Sequence, residues 1–157
     1  MVFSDSQKNE YMRLALDQAR QAFSHGDVPV GAIIVDKEGK IIASSFNERE
    51  AMHDSTAHAE ILCIKKACEA LGTWRLSGCS MFVTVEPCPM CSGGLINSRI
   101  ENVYIGVKNS KSGAFGSVLN MNSYPLNHVC RTDFGILQDE CAELMQSFFK
   151  MKRCIEN

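Results

Sequence analysis

Short apolar runs interleaved with amphipathic stretches constrain this chain more than any other feature. Val30–Val35, Met81–Val85 and Val103–Val107 are near-continuous apolar segments, and Ile41–Phe46 follows the first across the turn Asp36-Lys37-Glu38-Gly39-Lys40. These read as strands, Val30–Val35 and Ile41–Phe46 forming a β-hairpin. Between them the spacing switches to three and four. Met12, Ala15, Leu16, Ala19, Ala22 and Phe23 predict a helix over 7–25, stopped near Gly26. Ile61, Leu62, Ile64 and Ala67 predict a second over 58–71, closed by Gly72. A short helix is expected over 89–98, and an amphipathic one over 138–153 carries Cys141, Leu144, Met145, Phe148 and Phe149. Residues 47–57 read as loop, 108–127 as a long ordered loop of the kind that often carries function, and 129–134 as a last strand. The order α-β-β-α-β-α-β-β-α predicts an α/β three-layer sandwich, a mixed sheet covered by helices on both faces.

The 157 residues suit one domain, 1–157, large enough to bury a real core. A formal net charge of −2 removes the strongly basic balance of many nucleic-acid binders, while leaving room for a local basic patch. No apolar run approaches the ~20 residues of a spanning helix, so no membrane association is expected. The start, MVFSDSQKNEYMRL, lacks a basic stretch followed by an apolar one, which points to the cytoplasm. In that compartment eight cysteines are thiols or metal ligands rather than disulfides.

Two strings have suitable neighbours: His58-Ala59-Glu60 and Pro87-Cys88-Pro89-Met90-Cys91. A C-x-x-C alone arises by chance about 0.4 times in a chain this rich in cysteine. Requiring the preceding proline and an H-x-E as well lowers the expectation to roughly 0.003. Both strings fall at helix starts, where a thiol is biased toward thiolate. Two thiolates and one imidazole suit Zn²⁺, and three protein ligands leave the fourth tetrahedral position for water, as in catalytic rather than structural sites. On a regular helix Glu60 would point about 200° away from His58, so either the first turn is irregular or the cleft wraps around it. If it reaches the site, its carboxylate can pass a proton from water to a leaving nitrogen.

These strings resemble the zinc-dependent cytidine/deoxycytidylate deaminase superfamily, and within it the bacterial tRNA-specific adenosine deaminases. The resemblance extends over Asp27–Ala32, Asn47–Glu50, Asp54–Glu60, Glu86–Gly93, Ser98–Ile100, Gly113–Ser117, Asn127-His128 and Phe148–Arg153. It implies a five-stranded cytidine-deaminase-like sheet, a homodimer, one Zn²⁺ per subunit, and conversion of adenosine to inosine at the wobble position of a tRNA anticodon loop. Carried over, His58, Cys88 and Cys91 bind zinc and Glu60 shuttles the proton. Asn47 contacts the base, and Val28, Pro29, Ala59 and Pro87 line its pocket. The chain departs from the family pattern at Asn109-Ser110-Lys111, where an Asp-x-Lys is common, and in a last helix less rich in arginine.

Other readings stand beside these. Cys63, Cys68 or Cys79 would close a structural zinc site if one supplied a fourth ligand; otherwise these three, with Cys130 and Cys141, read as small core residues, and Cys154, near the end, as an exposed thiol. His53 is either an RNA contact or a plain loop residue. Lys150, Lys152 and Arg153 either complement the helix dipole or meet phosphates. Of the adjacent Phe148 and Phe149, one is expected in the core and the other, Phe149, free to stack on a base. A deaminase of a free nucleobase such as guanine or cytosine shares the zinc motif and needs no basic rim. A non-catalytic zinc-stabilised module would have no use for Glu60.

Overall fold

The computed structural model describes residues 2–156. Its first helix, α1 (Asp5–Ser24), begins two residues earlier than apolar spacing predicts. Ser4 Oγ accepts the Gln7 N–H at 3.2 Å while Gln7 Oε1 accepts the Ser4 N–H at 2.9 Å, a reciprocal cap that apolar periodicity does not register. Met12, Ala15, Leu16, Ala19 and Ala22 form its buried stripe.

The hairpin follows as β1 (Gly31–Val35) and β2 (Ile41–Phe46). Gly31 lies directly against the backbone of Ala15 and Ala19, where a Cβ would collide, so glycine lets α1 sit this close. Within the segment read as loop, Arg49–Met52 makes one helical turn, α2, ended by His53 in the left-handed region at φ 49°. Then come α3 (Ala59–Leu71), β3 (Ser80–Val85), α4 (Pro89–Asn97), β4 (Asn102–Val107), a 3₁₀ turn at Met121–Ser123, β5 (Arg131–Phe134) and α5 (Gln138–Glu156).

The sheet order is β2-β1-β3-β4-β5. β1 pairs antiparallel with β2 and β3, whereas β3, β4 and β5 run parallel. Side-chain alternation divides the core in two. Ala32, Ile34, Met81, Val83, Val103 and Ile105 pack with Ala59, Cys63, Leu95 and Ile96 of α3 and α4. Ile33, Val35, Phe82 and Tyr104 meet Met12 and Leu16 of α1, and Cys141 of α5. This is the expected mixed sheet between two helical layers. Each large side chain fully buried there contributes about 1.5–3 kcal/mol. None of the described helices is long and apolar enough to cross a membrane.

Candidate active site

The chemistry-bearing strings meet where β3 ends and α3 and α4 begin. His58 and Cys88 are not inside helices. Each is the residue just before one, with extended backbone (φ −75°, ψ 148° and φ −71°, ψ 174°), and Cys91 lies in the first turn of α4. His58 Nδ1 stands 3.6 Å from Cys88 Sγ and 3.5 Å from Cys91 Sγ, and the three ligand atoms all lie within 4.8 Å of one another. Zinc bonds of about 2.3 Å to sulfur and 2.0–2.1 Å to nitrogen at tetrahedral angles require N···S separations of about 3.5 Å, so the donor set fits. Among the described residues no fourth His, Cys, Asp or Glu joins the cluster. Cys63 Sγ donates to Ala32 O and Cys68 Sγ to Trp74 O, and Cys79 is buried in the core.

The extended backbone at His58 resolves the orientation of Glu60. The 200° separation assumed that both residues were helical, and only Glu60 is. Its carboxyl is buried, lines the same cavity as His58 and Cys88, and its Oε1 has no hydrogen-bond partner among the described residues. A buried polar atom without a partner is costly unless something occupies the space in front of it. In the metal-free chain burial raises Glu60 to about 7. The neighbouring Cys91 thiol and, after it, the His58 ring hold Cys88 down at about 4 against the opposing effect of burial. Cys91 moves the other way, raised by its hydrogen bond to Cys88 and by burial, and the hydrogen bond with Cys88 raises His58. One thiolate is therefore ready for a cation at neutral pH.

Residues 5–107 match the family described as the cytidine and deoxycytidylate deaminase zinc-binding region. The chain belongs to this family. It is 47% identical over 147 residues to a tRNA-specific adenosine deaminase of Aquifex aeolicus, covering 93% of this chain and 96% of the relative. It is 42% identical over 149 residues to the tRNA-specific adenosine deaminase of Bacillus subtilis, covering 94% and 92%. A solved structure from work on A-to-I editing by tRNA:A34 deaminases at the wobble position superposes with a TM-score of 0.84 at 41% identity, covering 86% of this chain and 98% of the other.

In this deaminase a cavity of about 120 Å³ holds Glu60, His58 and Cys88 beside Asn47, Val28 and Val85. Asn47 is buried, and its Oδ1 accepts the Ala59 N–H at 2.8 Å. That leaves the Nδ2 donors, and not the whole amide, for the cavity. Pro29, Ala59 and Pro87 are buried and are not among the residues lining the cavity. His53 is exposed and lies away from the cavity. A larger groove of about 560 Å³ is lined by Val28, Arg49, Lys111, Phe149, Lys152 and Arg153. Phe148 is the core member of its pair at 2% exposure, and Phe149, at 39%, lies 5.7 Å from Lys111 Nζ.

Several site residues escaped sequence reasoning. Arg49 lines both cavity and groove, held by buried Asp27, whose Oδ1 accepts from its Nε and Nη2 at 3.3 Å. Asp27 also accepts the Val28 and Glu50 N–H groups. Met145, Asn109, Ser112 and Glu86 complete the cavity wall. The available signal was a lone acidic residue ending a buried strand directly before Pro-Cys.

Proposed function

We propose that this deaminase converts adenosine to inosine at the wobble position of a tRNA anticodon loop. His58, Cys88 and Cys91 hold one zinc ion per subunit, and Glu60 carries the proton. The observation that carries this reading is continuity: Val28, Arg49 and Met145 belong to the walls of both the small cavity and the large groove. The small cavity suits a single base. The groove offers Lys111, Lys152, Arg153 and the face of Phe149, matching what a single-stranded loop with splayed bases presents. The relatives above are named for the same class of substrate.

Bound zinc supplies the Lewis acidity that makes water nucleophilic near neutral pH. Glu60 takes up a proton at its buried Oε1 and gives it to the departing exocyclic nitrogen, so that water is consumed and ammonia released. Asn47 donates from Nδ2 to the base edge while its Oδ1 stays on Ala59. Val28 and Val85 supply apolar wall that limits water around the base.

The same reading makes residues 1–157 one domain, since β5 extends the sheet and α5 packs on β4. It places the enzyme with its tRNA in the cytoplasm. It makes the chain a homodimer, supported by four large apolar side chains about half exposed along one loop: Val118, Tyr124, Leu126 and Val129. Light scattering tests the last point, and a monomer at micromolar concentration overturns it.

The deciding experiment incubates the zinc-loaded protein with an anticodon stem-loop RNA, and separately with free adenine, guanine and cytosine. Inosine at the wobble position is the expected product. Ammonia from a free base alone transfers the assignment to a free-nucleobase deaminase.

A further inference from the structure

Glu86 is 2% exposed, and neither the metal cluster nor the proton path uses it. Its two oxygens collect four hydrogen bonds from one downstream segment. Oε1 accepts the Asn109 N–H at 3.1 Å and the Ser117 hydroxyl. Oε2 accepts the Phe115 N–H at 3.0 Å and the Ser117 N–H at 3.2 Å. Gly113 lies flat against the same carboxyl, where a Cβ would collide with Glu86 and with the Asn109 carbonyl. The segment so gathered carries Asn109 and Ser112 into the wall of the small cavity and Lys111 over Phe149 in the groove. The adjoining backbone is fastened too, the Ala114 N–H donating to Pro87 O at 2.9 Å.

We infer that Glu86 is a positioning residue for substrate: it folds residues 109–117 onto the site, so that the wall meeting the RNA is preformed. This rests on the reading of the groove given above. The chemistry of the group is matched to the task. A carboxylate only accepts, and three of its four donors are backbone N–H groups, so it fixes main chain irrespective of the side chains outside. Glutamine cannot replace it. Each oxygen faces a backbone N–H, so whichever way the amide turns, its NH₂ meets a donor.

The test is Glu86→Gln in the zinc-loaded protein, read three ways. KM for the anticodon stem-loop is expected to rise about tenfold with kcat changed less than about threefold, the signature of lost binding geometry. Zinc is expected to stay at one per chain. Amide hydrogen exchange at Asn109, Phe115 and Ser117 is expected to speed up at least about tenfold, with α1 and β1 unchanged. Loss of zinc, a fall in kcat at constant KM, or unaltered exchange at those amides overturns the inference. Exchange needs no substrate, so an inactive wild type would sink the tRNA reading and leave this one to be decided separately. If Glu86→Gln does not fold, Ser117→Ala, which removes one side-chain donor, decides. Exchange at Asn109 and Phe115 faster by about threefold supports the inference, and no change overturns it.

Discussion

Asn47 Oδ1 caps a helix that belongs to another part of the chain, accepting the Ala59 N–H at 2.8 Å. The leading N–H groups of a helix need partners from outside it, and the residue before the helix commonly supplies one. Here that residue is His58, whose ring faces the two cysteines and whose side chain makes no cap bond. Asn47, just past β2, takes over part of the task, and so locks the end of the hairpin to the ligand-bearing turn.

Asn47→Ala is therefore expected to lower stability by about 1–3 kcal/mol in urea unfolding, because a buried N–H loses its acceptor. Asn47→Asp retains the acceptor and should recover most of that stability. It lacks the Nδ2 donor, so kcat/KM on RNA should remain about 10- to 100-fold down. Full activity in Asn47→Asp would remove the base contact from the account.

Glu60→Gln should bind zinc and fold as the wild type does, while kcat falls about 10²- to 10⁴-fold. Metal analysis and single-turnover inosine formation on the same sample check both halves. Activity within tenfold of wild type contradicts the proton-carrier role.

Zinc binding should release protons, and the donors can be named. In the metal-free chain Cys88 is held near 4 and is already a thiolate at pH 7, whereas Cys91 and His58 are raised and hold their protons more tightly. A ligand must lose its proton to bind, so affinity should weaken as pH falls, with Cys91 giving up a proton at pH 7. Calorimetry in buffers of different ionisation enthalpy measures the number released. Zinc uptake at pH 7 without release contradicts this assignment.

Most of the architecture was legible because it follows from the alternation of apolar runs with helical spacing, which local sequence displays directly. The clustering of His58, Cys88 and Cys91 was legible for a different reason: H-x-E and P-C-x-x-C are short and local. The orientation of Glu60 was not, because helical geometry was extended to His58, which lies one residue outside α3. Glu86 and Asp27 were missed since their partners, apart from the Val28 N–H on Asp27, are 22 to 31 residues away in the chain, and neither spacing nor composition marks such pairs. The hold of Asn47 on the start of α3 was hidden for the same reason, its partner Ala59 lying twelve residues on.

Asp27→Asn tests the hidden ion pair. Asp27 is 2% exposed and Arg49 37%, so solvent screens part of the pair, and a cost of about 1–3 kcal/mol is expected. Arg49 then loses its anchor at the cavity mouth, so KM for RNA should rise as well. A stable variant with unchanged KM contradicts the anchoring role.

The groove cations should be visible in salt dependence. Lys152→Ala with Arg153→Ala removes two charges and should lower the slope of log affinity against log salt by about 1.4 for a single-stranded loop. An unchanged slope means the run at the end of α5 is only a solvated helix terminus.

The metal cluster, Glu60 and Asn47 all come from the stretch between Asn47 and Cys91, and the groove's cations other than Arg49 come from beyond Lys108. The division in space is thus also a division along the polymer. Changes at Lys111, Lys152 or Arg153 would alter the charge of the groove without touching the metal cluster or Glu60, so the two traits are free to evolve at different speeds.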